Sequence, residues 1–254
     1  MQVYEEVLVP RLFAPMAEEL LDRVGVQPGE RLLDVGCGPG TVALAAARRG
    51  ARVAGCDPNP EMLARARANS SAVAWLESAA APLVGVPDAA FDVVTCQHAL
   101  QFVPDRPAAV AEMYRVLVSD GRVAVATWGP LERSPAFAAL ERAIREFLGD
   151  AAADRYRNGP WAFPDPDALG ALLEGAGFGE LQVTRPTVRG DFDGGPEQLL
   201  GVLVVSPVAD ELAALSSERA AAMLDAVRRD TAPLTEHGVV RSTMEANLAI
   251  GVKR

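Results

Sequence analysis

The stretch RLLDVGCGPGT, residues 31–41, decides the fold: an apolar run carrying Asp34 opens directly into Gly36, Gly38 and Gly40, three glycines in five positions. A short apolar run, a glycine cluster and then the alanine-rich segment TVALAAARR (41–49) read as strand, tight turn and helix start. Such a turn lets backbone approach a ligand closely and presents amide donors at the first turn of the helix.

Outward from it the same rhythm repeats. Strands are expected at 31–36, 51–57, 72–77, 91–97 and 121–128, with helices at 41–49, 60–69 and 107–117 between them. Strands alternating with helices make βαβ units and a parallel sheet. A leading helix is expected over 11–24, and beyond Trp128 an amphipathic helix over 135–148, a Pro/Gly/aromatic loop over 157–167 and a further helix over 166–177. A sixth strand is expected over 179–188 and a seventh in the last nine residues, ANLAIGVKR. The mostly helical stretch of about 50 residues between them is too long for an ordinary loop. The expected fold class is therefore α/β, a Rossmann-like three-layer sandwich with a seven-stranded, mainly parallel sheet and helical lid insertions. One domain is expected over 1–254, its ligand-binding core at 25–128 and its lid at 1–24, 129–165 and 190–245.

Composition narrows the partners. Hydrophobic residues make up 50% of the 254 and charged residues 23%, and no apolar run approaches the roughly 18 residues that span a bilayer. The opening MQVYEEVLVP has neither the cationic start nor the apolar core of a signal segment; a soluble, cytoplasmic protein is expected, monomeric or homodimeric. A net charge of −10 repels phosphate backbones, which argues against nucleic acid. Cys37, Cys56 and Cys96 lie 19 and 40 positions apart with only His98 and His237 to join them, so neither a metal site nor a disulfide framework is expected. His237 reads as a surface loop residue, and the Arg/Glu faces of 141–146 and 211–229 as solvated helix surfaces.

The glycine spacing then discriminates among ligands. The dinucleotide fingerprint G-x-G-x-x-G has its third glycine where this chain has Thr41, and no G-x-x-x-x-G-K-[ST] phosphate loop is present. Asp34, two residues before the first glycine, adds negative charge to the turn and suits a ligand with a cationic part. Asp57, ending the second strand 17 positions after Gly40, can accept both hydroxyls of a ribose. An ammonium, a carboxylate, a sulfonium and a ribose together complement these groups, and S-adenosylmethionine carries all four.

On these residues the chain resembles the class I S-adenosylmethionine-dependent methyltransferases, the broad group that includes ubiquinone and menaquinone biosynthesis enzymes. DVGCGPG (34–40), GCDPNPEML (55–63), FDVVTCQHALQFVPD (91–105) and RVLVSDGRVAVATW (115–128) carry the resemblance, which is strong over about 30–130. It implies an antiparallel last strand. It also implies that the loop with Asp34, Gly36, Cys37, Gly38 and Gly40 wraps the methionine part, and that Asp57 takes the ribose. Pro58 would then belong to the same cofactor site, Met62 lie against the adenine and Gln97 at the methionyl end. One departure stands out. Where the family commonly has GDA after the third strand, its acidic side chain accepting from the adenine amino group, this chain has SAA (78–80), leaving backbone groups of Ala79 and Ala80 to read the adenine edge or Glu77 and Ser78 to shift into place.

His98 follows the fourth strand and reads either as a general base or as a pocket wall. Tyr4, Phe102, Trp128, Trp161 and Phe163 read as core aromatics or as the lining of an apolar acceptor pocket. The reaction expected is in-line SN2 transfer of a methyl group to a small, partly hydrophobic organic acceptor, with release of S-adenosylhomocysteine. Three other readings stand beside it. The glycine turn and Asp57 also fit a NAD-dependent oxidoreductase, and SAA fits a non-catalytic cofactor- or partner-binding module of the same fold. The sulfonium charge could equally serve a cyclisation or rearrangement.

Overall fold

The computed structural model describes residues 3–254. In chain order a helical segment Tyr4–Phe13 leads into α1 (Ala14–Val24), β1 (Arg31–Val35), α2 (Thr41–Arg48), β2 (Arg52–Asp57), α3 (Pro60–Asn69) and β3 (Ala74–Glu77). Next come β4 (Phe91–Gln97), α4 (Arg106–Val116), β5 (Leu117–Trp128), α5 (Pro135–Leu148), α6 (Asp150–Arg157) and α7 (Pro166–Gly175). The chain continues through β6 (Phe178–Thr184), β7 (Thr187–Arg189), α8 (Gly195–Gly201), α9 (Ala209–Ala213) and α10 (Ser217–Thr231). It ends with β8 (Thr235–Glu236), β9 (Val239–Val240) and β10 (Thr243–Lys253). These elements form two compact units.

One unit comprises residues 16–127, 165–186 and 247–254. Its strands run β3-β2-β1-β4-β5-β10-β6, with β1 parallel to both β2 and β4 and β10 antiparallel to β6. This is the mainly parallel, seven-strand order expected, closed by an antiparallel last strand. Leu32, Leu33, Val93, Val94, Val123 and Val125 are fully buried, as central strands of an α/β sheet require. The strand order reverses at β1, between β2 and β4, and in open α/β sheets that switch point opens a crevice beyond the strands' carboxyl ends.

Two boundaries differ from expectation for local reasons. The turn expected before the fifth strand is a bulge inside β5: pairing with β4 jumps from Phe91↔Leu117 to Val93↔Arg122, and Asp120 takes a positive φ of 61°. The sixth strand stops at Thr184 because Pro186, lacking an N–H, cannot continue the ladder, and β7 begins after it.

The other unit comprises residues up to 15, 128–164 and 187–246. The leading helix begins earlier than expected, at Tyr4, and includes Pro10; its wide turns leave the Ala14 N–H bonded to the Val9 carbonyl. Within this unit α5 packs on α6 and α10, and β7 pairs with Thr243–Glu245, the start of β10. The hairpin β8–β9, not foreseen, turns through His237 and Gly238, both at positive φ (50° and 81°), the conformation a two-residue hairpin loop demands. His237 is exposed there. Glu141, expected on a solvated face, is instead buried, its carboxylate accepting from Arg145 Nη2 at 2.7 Å.

Candidate active site at the carboxyl ends of the strands

The glycine turn is held from below and from the side. Gly36 N–H and Cys37 N–H both donate to the Cys56 carbonyl, at 2.8 and 2.9 Å, fastening the end of β1 to the end of β2. Gly36, Gly38 and Gly40 all have positive φ (69°, 53° and 96°), so each glycine of the sequence pattern answers a backbone need. At Gly36 a Cβ would lie 2.3 Å from the Cβ of Ala99, on the segment leaving β4.

Asp34 lies beneath this turn rather than at its mouth. Its Oδ2 accepts from Ala43 N–H (3.2 Å) and its Oδ1 from the Thr95 hydroxyl (2.9 Å), tying the first turn of α2 to β4. Burial pushes its carboxyl up to about 7, only partly offset by these two hydrogen bonds.

Asp57 is placed differently. At the end of β2 its Oδ2 accepts from Gly38 N–H (2.9 Å) and its Oδ1 from Asn59 N–H (2.8 Å). It makes no ion pair among the described residues. A carboxylate has about four lone-pair directions, so two remain for a ligand's hydroxyls. Asn59 caps α3, its side-chain oxygen accepting from Glu61 N–H (2.9 Å) and Met62 N–H (3.4 Å), with Pro60 at the first helical position. This cap sets Met62, half-buried, one turn from Asp57, while Pro58 is exposed between them.

The far side of the site is built from the β3 exit. Ser78 N–H donates to the Asp57 carbonyl (3.3 Å), and the buried Ser78 hydroxyl bonds the Ala79 and Pro82 carbonyls while accepting from Val84 N–H. Ser78 thus organises its own loop, and Glu77 is exposed. Ala79 is exposed and Ala80 half-buried, so this edge presents backbone and methyl groups.

At the end of β4, Gln97 is half-buried and His98 buried. His98 adopts a positive φ of 52°, held by its N–H donating to the Ala126 carbonyl of β5 at 2.8 Å. Left-handed backbone at a non-glycine residue is a costly conformation that clusters at functional sites. Burial lowers the His98 imidazole to about 3, so it is neutral at physiological pH. The three cysteines are buried thiols whose ionisation burial also opposes, Cys56 being pushed up to about 12.

Sequence reading missed Trp75. Its indole closes over the turn so tightly that a Cβ at Gly40 would fall 2.6 Å from the ring and one at Gly55 2.7 Å, and its Nε1–H donates to the Ser70 carbonyl at 2.9 Å. The available signal was Gly55 itself, since a glycine inside a strand marks a close approach.

A glycine turn after β1, an acidic residue ending β2 and a strand-order reversal between β1 and β4 define a Rossmann-like fold. Residues 33–125 match the methyltransferase-domain family. The chain is 38% identical over 165 residues to a demethylmenaquinone methyltransferase from Thermus thermophilus, covering 59% of this chain and 74% of that protein. To a nocamycin O-methyltransferase from Saccharothrix syringae it is 34% identical over 189 residues, covering 67% of this chain and 66% of that one. The fold is shared with the YcgJ protein from Bacillus subtilis, at a TM-score of 0.61 and 19% identity, over 94% of this chain and 97% of that one. The chain belongs to the class I S-adenosylmethionine-dependent methyltransferases. No helix among the described residues is long and apolar enough to cross a membrane.

Proposed function

We propose that the protein transfers a methyl group to a small, partly hydrophobic organic acceptor, at an oxygen, carbon or nitrogen. The observation that carries this is Asp57: a carboxylate with no cation partner among the described residues, braced by the Gly38 amide and with lone pairs left for a ribose. Relatives named for demethylmenaquinone and nocamycin support a small-molecule acceptor. When bound, S-adenosylmethionine supplies an electrophilic methyl group on a sulfonium leaving group.

In this proposal the turn of Gly36, Cys37, Gly38 and Gly40, supported by Asp34 from below, receives the methionine part, and Gln97 meets its end. Asp57 takes the ribose, Pro58 and Met62 cover the adenine, and backbone groups of Ala79 and Ala80 read its edge. Between the two roles for His98, its environment favours the wall: an imidazole held near 3 is a weak proton acceptor at neutral pH. Its part is to fix the β4 exit so that the acceptor is aligned and water kept out. Cytoplasmic residence, a monomeric or homodimeric state and no role for nucleic acid belong to the same proposal.

The test is calorimetric titration with S-adenosylmethionine and S-adenosylhomocysteine, followed by an acceptor panel scored by S-adenosylhomocysteine release. Binding of both with release over at least one acceptor is expected. Stabilisation by a nicotinamide dinucleotide instead, or binding with no release over any acceptor, would overturn the reading.

A further inference from the structure

The unit formed by residues up to 15, 128–164 and 187–246 contains an aromatic cluster with an unusual polar content. The Tyr156 and Trp161 rings lie 5.1 Å apart and tilted by 45°, Phe137 lies 5.6 Å from Trp161, and Phe192 lies 6.0 Å from Phe137. Tyr156 is 2% exposed and Trp161 5%. Neither the Tyr156 hydroxyl nor the Trp161 indole N–H meets a hydrogen-bond partner among the described residues. Buried tyrosine and tryptophan usually satisfy their polar ends, because an unmade hydrogen bond costs the full desolvation of the group. Two such groups on adjacent rings are costly, and at 156 phenylalanine would fill the ring's space without the penalty.

Both groups donate. An indole N–H has no acceptor capacity, and burial, with the nearby negative charge of Glu141, raises the Tyr156 phenol and keeps it protonated. The same carboxylate disfavours an anion beside the ring. Its charge is held in place by Arg145, and Arg157 approaches to 3.9 Å. The complement of two neutral donors set in apolar rings is an apolar molecule carrying an uncharged oxygen with two lone pairs.

We propose that Tyr156 and Trp161 form a binding site for a neutral, largely apolar molecule with a carbonyl oxygen, the oxygen accepting from the Tyr156 hydroxyl and the Trp161 indole N–H.

The test uses the full chain, with the Trp161 indole N–H resonance assigned by triple-resonance spectroscopy. Titration with acetophenone is expected to shift that resonance, and Tyr156→Phe to weaken acetophenone about two- to twelve-fold, the factor expected for one hydrogen bond. Ethylbenzene, which lacks the oxygen, and benzoate, which is charged, are expected to bind more weakly than acetophenone. An unmoved Trp161 resonance, equal affinities for acetophenone and ethylbenzene, or Tyr156→Phe raising the Tm while leaving acetophenone affinity unchanged would each overturn the site. A parallel S-adenosylmethionine titration keeps the two readings apart. Cofactor binding without an acetophenone response sinks this site alone, and the reverse result sinks the methyltransferase reading alone.

Discussion

Asp57 at the end of β2 accepts a hydrogen bond from the Gly38 N–H at 2.9 Å, so the acidic residue and the glycine turn, 19 positions apart in sequence, are braced against each other. Under the proposed function Asp57 has two separable duties: bracing the turn and receiving the ribose.

Asp57→Asn retains an oxygen for the Gly38 amide but gives up acceptance from the Asn59 N–H and loses the charge and half the acceptor capacity offered to a ribose. It should keep its Tm within a few degrees while binding S-adenosylmethionine about ten-fold more weakly, or about 1.4 kcal/mol, by calorimetry. Asp57→Ala should lose both, with a lower Tm. Unchanged affinity in both variants would remove Asp57 from the site.

Gly36→Ala tests the turn from the opposite side. At φ 69° and with a Cβ 2.3 Å from that of Ala99, the added methyl cannot be relieved by a flexible side chain. A loss on the order of 3 kcal/mol in denaturant unfolding is expected. Gly25→Ala, also at positive φ (69°) but with nothing within 4 Å of its Cβ, should cost much less.

Asp34 predicts a pH dependence. Its folded value of about 7 lies above the unfolded value near 3.8, so the folded state holds a proton the unfolded state releases. The contribution is fully present below about pH 4 and falls away as pH rises to about 7, by on the order of 4 kcal/mol at most. Asp34→Asn, which cannot ionise, should therefore gain relative to wild type between pH 5 and pH 8 in paired unfolding curves. A constant difference across that range would show that Asp34 ionises normally.

Ala79 predicts a gain. If its position faces the adenine amino group, Ala79→Asp supplies an acceptor on an exposed residue and should tighten S-adenosylmethionine about two- to ten-fold, worth about 0.5–1.5 kcal/mol. Sinefungin, which keeps the adenosine part, should tighten by the same factor, and a variant no tighter for either ligand would place the adenine elsewhere.

The sequence by itself determined the sheet and the glycine turn, because both rest on local chemistry. Alternating apolar and helical runs fix β1 to β5 and their helices, the glycines at 36, 38 and 40 allow the positive φ the turn needs, and Pro58, which cannot donate to a ladder, follows Asp57 where β2 ends. Only the tertiary structure decided what each acidic and aromatic group faces. Asp34 and Asp57 are both buried, yet Asp34 bonds Thr95 and Ala43 beneath the turn while Asp57 bonds the turn itself, a difference set by strand pairing across 61 positions. Trp75, packed on Gly40 and Gly55, and Trp161, beside Tyr156, depend likewise on contacts between elements far apart along the chain or on helix packing. Local pattern specifies backbone conformation and which face is apolar; the partner of a buried polar atom is settled only when the elements pack.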